Sequence, residues 1–152
     1  MELVLGNNRM LMAALLAGLC GGLAEIGWIV AYSSASSTSA ADVARGIAAT
    51  VFSAATDASW TPWAGAAIHL ALSLALGLAF ALLLWSLSSG RPGKERIWVS
   101  AVSALIAVWA VNFFLILPAL NSDLISLMPH GATLLSKALF GAAMAWTLTR
   151  FA

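Results

Sequence analysis

Charge is what this chain has least of: 9% of its 152 residues are Asp, Glu, Lys or Arg, against 62% hydrophobic residues. A soluble domain carries roughly 25% charged residues. So few charges cannot cover a water-facing surface, and most side chains must face lipid or one another. The net charge of +1 gives no basis for binding nucleic acid. A single cysteine, Cys20, excludes an intramolecular disulfide and any multi-cysteine metal site. The sequence also lacks GxSxG, a glycine-rich phosphate loop, HExxH and a DxD-type acidic pair. No motif for a named reaction is present, and an enzymatic role has no support in the residues.

What the chain has instead is long apolar runs. A helical span takes about 20 predominantly apolar residues. Four stretches qualify, at about 10–32, 63–87, 97–117 and 131–151, with Pro118 placed to end the third. The first follows Arg9 in the outline of a signal peptide. It is about twice as long as the usual apolar core of such a peptide, and Glu25 interrupts it, so a retained helix is expected. The bulky Leu19 before Cys20 speaks against a lipoprotein site. The expected fold is all-α: one domain over 1–152, a polytopic antiparallel four-helix transmembrane bundle.

Basic residues set an orientation. Arg9, Arg91, Lys94, Arg96 and Arg150 fall on one side of the expected membrane, and Arg45 alone, with Asp42, Asp57 and Asp123, on the other. By the positive-inside rule both termini and the Ser88–Arg96 turn are cytoplasmic, as in a bacterial-type inner (plasma) membrane. Trp28, Tyr32, Trp60 and Trp63 would then mark the outer interface, and Trp85, Trp98 and Trp146 the inner one. The outer connection from Ser33 to Pro62 contains Ser39 three residues before Asp42, a start resembling a capping box. Val43, Ile47, Val51 and Phe52 follow at helical spacing, which predicts a short helix on the outer side, lying on the leaflet or capping the bundle. A further turn is expected around Leu124, Ile125, Leu127 and Met128.

Four polar side chains interrupt the spans: Glu25, His69, Asn112 and Lys137. A charge at the middle of a span costs about 2.5–3.5 kcal/mol on insertion scales, so such residues face the interior and find partners. At a rise of 1.5 Å per residue, each lies about 7–10 Å below the outer end of its helix. Their faces also agree. Glu25 continues the stripe Ala14, Gly18, Gly22; His69 belongs to Gly65, Ser73, Gly77, Ala81; Lys137 leads Gly141, Ala145, Thr149. Small residues four apart let membrane helices approach closely. Glu25, His69 and Lys137 are therefore expected to converge between helices in the outer half of the membrane. The third helix has no glycine stripe to orient Asn112.

Several functions fit that cluster. It can be a buried ion pair fixing helix register within a non-enzymatic accessory or assembly subunit, partnered by other membrane subunits or by copies of itself. It can serve an oligomeric proton- or ion-coupled carrier or channel, with Glu25 exchanging the proton, Lys137 as charge partner and His69 as relay. His69 and His130, the only histidines, are also candidate haem or metal ligands, although no HxxxH or CxxC spacing supports them. The residues name no cofactor.

Overall fold

A computed structural model of the chain describes residues 8–52, 58–88 and 91–151. Asp57, assigned above to the outer side, and Ser89 and Gly90 of the basic turn lie outside the described residues. Every regular element among the described residues is helical: α1 (Asn8–Ser34), α2 (Ala40–Ala49), α3 (Thr61–Ser86), α4 (Lys94–Val111), a π-helical turn (Asn112–Ile116), α5 (Leu117–Leu120), α6 (Ser122–Ser126) and α7 (His130–Phe151). Among the described residues three helices are long and apolar enough to cross a membrane: α1, α3 and the 27-residue run Lys94–Leu120. α7 has the length, at 22 residues, but Lys137 and its many small residues leave it less apolar than the other three.

Local chemistry explains most boundaries. α3 starts with Pro62 in its first turn, where a missing N–H leaves no bond unmade. Pro118 does not end the third long helix as expected, and the chain stays helical to Leu120. A proline ring normally meets the carbonyl four residues before it. Here the preceding turn is widened, with the Leu117 N–H donating to the Asn112 carbonyl five residues back, which gives the ring room. Ser39 stands at the N-cap of α2, but its side chain makes no cap bond. Asp42 pairs instead with Arg45 at 2.6 Å, so the capping box does not form.

The long helices pack in the order α3, α1, α7, α4, while α3 and α4 scarcely touch each other. Glycine sets the spacing at each close approach. A Cβ on Gly18 would strike the Ser73 carbonyl, and one on Gly77 would strike the backbone of Gly18. Gly21 lies against the Phe140 ring, and Gly141 against the backbone of Ala101 and Val102. The half of the structure holding the start of α1 and the end of α7 is packed solid around Ala17, Leu84, Leu105, Phe140, Met144 and Leu148. At the other end α3 and α4 remain apart.

α2 and α6 cover that other end. α2 is seated on α3, where a Cβ at Gly65 would collide with the Ala44 carbonyl. Val43 is buried and Ile47 points to the interior, so α2 is a cap on the helices. Asn121 ties the caps together. Its Nδ2 donates to the Gly46 carbonyl at 2.9 Å and to Thr50 Oγ1 at 3.2 Å, and its Oδ1 accepts from the Leu124 N–H at 3.3 Å. Asn121→Ala is expected to cost about 1–3 kcal/mol, since the part-buried Leu124 N–H loses its acceptor and the Gly46 carbonyl keeps only the Thr50 hydroxyl. Amide exchange in α2 should quicken while α1 and α7 keep their protection. Unchanged exchange in α2 would show that Asn121 does not hold the cap.

Candidate functional site

The seam between α1 and its two neighbours carries the polar cluster. Gly18, Gly21 and Gly22 bring α3 and α7 close enough for short reaches to Glu25, which is 5% exposed. Lys137 Nζ donates to Glu25 Oε2 at 2.6 Å. Ser136 Oγ donates to Glu25 Oε1 at 3.1 Å and lies 2.7 Å from the Thr133 carbonyl. His69 Nε2 stands 3.7 Å from Glu25 Oε2 and 3.4 Å from the Gly22 carbonyl. Ser73 Oγ donates to the His69 carbonyl at 2.7 Å. Lys137 Nζ also lies 5.7 Å from the centre of the Phe140 ring, within range of a cation–π contact. Both carboxylate oxygens of Glu25 are thus engaged, and acid, imidazole and amine come from three different helices.

These groups border a cavity of about 430 Å³. Glu25, His69, Ser136 and Lys137 form its polar side. Apolar side chains of α3 and α4 wall it, among them Leu72, Leu76 and Val108, and α2 and α6 cover it through Ile47 and Leu124. Its location follows from the packing: it lies where α3 and α4 stand apart beneath the cap.

Asn112 borders the same cavity, at the start of the π-helical turn. Among the described residues its side chain makes no hydrogen bond, so it shares the space with Glu25 without bonding to the cluster. His130 lies elsewhere. Its ring packs against Trp109, Phe113 and Phe114 at centroid distances of 6.2, 5.7 and 6.0 Å. His69 and His130 therefore sit in different surroundings, one among charges and one among aromatic rings. Among the described residues no group of three or more His, Cys, Asp or Glu side chains is placed to hold a metal ion.

Two partners were not singled out from the sequence. Ser136 satisfies the second Glu25 oxygen, and Thr133 Oγ1 accepts from Trp109 Nε1 at 3.0 Å, joining α4 to α7 beside the cavity. Helical spacing carries the missing signal: Thr133, Ser136, Lys137 and Phe140 share one face of α7. Chemically the arrangement is a charged hydrogen-bonding group in which Ser136 and Lys137 are both bonded to Glu25. Comparison with protein-family models, with curated proteins and with solved structures found no match, so the site rests on its own geometry.

Proposed function

We propose that this chain is a multi-pass membrane protein of the bacterial inner-membrane type that binds a small amphiphilic molecule reaching it from the bilayer. The observation that carries the proposal is the cavity beside the charged cluster. An ion pair kept only to fix helix register is best packed tightly, because voids forfeit contacts. Here the cluster faces about 430 Å³ of space with apolar walls, a size suited to a small ligand. The separation of α3 and α4 favours access from the side, since α2 and α6 close the end.

Four spans are part of this proposal. α7 supplies the fourth, its Lys137 charge compensated internally by Glu25. With the basic residues inside, both termini are cytoplasmic and the α2–α6 cap is external. A fluorescent protein fused after Phe151 should fold and fluoresce, and alkaline phosphatase fused after Ser126 should be active. The reverse pair of results would invert the topology.

A second reading is supported by the exposed apolar flanks of the same gap, where Leu72 on α3 and Ile116 beyond α4 are 63% and 42% exposed. A helix of another subunit would cover them, which is the accessory-subunit role. Purification in mild detergent separates the two. A particle of this chain alone, yielding one amphiphile per chain on solvent extraction and mass spectrometry, supports the binding role. An equimolar second polypeptide with no amphiphile replaces it with the accessory role. A particle with neither removes both.

A further inference from the structure

From the hydrogen-bonding balance at the cavity we infer that the amphiphile is an isoprenoid quinone, held by its ring carbonyls. The inference rests on the amphiphile-binding reading above and adds the chemistry of the head. Charge comes first. Glu25 and Lys137 neutralise each other at 2.6 Å, and His69 adds charge only when protonated. A carboxylate, phosphate or ammonium head would bring an uncompensated charge into apolar surroundings, which is unfavourable. A neutral head leaves the pair undisturbed.

The spare bonding capacity then selects the kind of neutral head. Each Glu25 oxygen takes one bond, from Ser136 and from Lys137. Donors remain. An ammonium carries three N–H bonds, and Glu25 takes one from Lys137. The Asn112 amide offers two more from the α4 side, with no partner among the described residues. A molecule presenting carbonyl oxygens towards both helices takes up these donors. Phe113 borders the cavity, and an aromatic side chain suits a flat ring. The volume accommodates one substituted ring with the start of its chain. That chain leaves between Leu76 and Val108, where α3 and α4 stand apart. The inference concerns binding, and no redox step is needed for it.

The test uses the full chain purified in dodecyl maltoside. Decylubiquinone and palmitate are titrated separately, read by tryptophan quenching and by calorimetry. Decylubiquinone should bind saturably at one per chain, and palmitate at least ten-fold more weakly. Asn112→Leu should weaken decylubiquinone at least ten-fold. Leu76→Trp, which fills the cavity and leaves every polar group in place, should abolish binding. Size-exclusion profiles matching the wild type show that both variants are folded. Palmitate binding as tightly or more tightly overturns the neutral-head inference and leaves the amphiphile reading standing. Decylubiquinone binding that ignores both substitutions lies outside this cavity and overturns the inference too. Binding of neither probe removes the inference and the reading together.

Discussion

Glu25→Leu is expected to destabilise the folded protein by about 3–5 kcal/mol, the usual result of removing one partner from a buried ion pair. The cost arises from Lys137, whose ammonium would stay at a position where its side chain is 15% exposed, with Phe140 beside it. Ser136 would turn its one hydroxyl proton to the Thr133 carbonyl 2.7 Å away, so the loss falls mainly on the amine. The double substitution Glu25→Leu, Lys137→Met should recover most of this stability, because apolar side chains of similar volume often replace a buried pair at little cost. Decylubiquinone binding should be lost in the double variant, although the fold returns. Unfolding by SDS in mixed micelles, followed by tryptophan fluorescence, measures the stability half, and the quinone titration measures the other. A double variant as unstable as the single would make the pair a register device. A stable single variant would mean that Lys137 reaches water in the fold.

The convergence of Glu25, His69 and Lys137 is readable in the sequence for a physical reason. Close helix packing in an apolar medium needs small residues at i, i+4 spacing, and charge needs the interior, so both constraints select the same face. Gly18, Gly22, Ser73 and Gly77 are buried in the seam that the stripes indicate. The helix without glycine carries no such stripe. Nothing in the residues around Asn112 orients it, and its placement at the cavity depends on a wide turn. A proline allows such a turn without requiring it. Ser136 gives no signal in the sequence, because a lone serine in a span carries no cost that demands a partner. Its role becomes visible only once Glu25 has a second oxygen to satisfy. The order of the helices and the gap between α3 and α4 depend on which seams pair with which, and all the seams look alike in one dimension. Asn121 was equally silent, since its clamp joins residues more than 70 positions apart.

Gly77→Leu tests whether the site depends on the seam. A Cβ at this position would meet the Gly18 nitrogen and Cα and the Ala14 carbonyl oxygen, all of them backbone. Backbone cannot rotate aside as a side chain can, so α1 and α3 must separate. Overpacking typically costs about 1–3 kcal/mol, and a Leu whose first carbon already meets main chain belongs at the upper end or beyond. Separation also moves His69, two helical turns along α3, away from the Gly22 carbonyl and from Glu25. Quinone binding should therefore fall by at least ten-fold even where the protein remains folded. Gly27→Leu is the control on the neighbouring helix. A Cβ there meets nothing within 4 Å, so stability should change by no more than about 0.5 kcal/mol, as for other exposed sites. Leucine is also a better helix former than glycine, so any change should favour the fold. Thermal stability by size exclusion and the decylubiquinone titration give both readouts on the same samples. If Gly77→Leu matched Gly27→Leu in both, contact between α1 and α3 would not be what holds the imidazole beside the carboxylate.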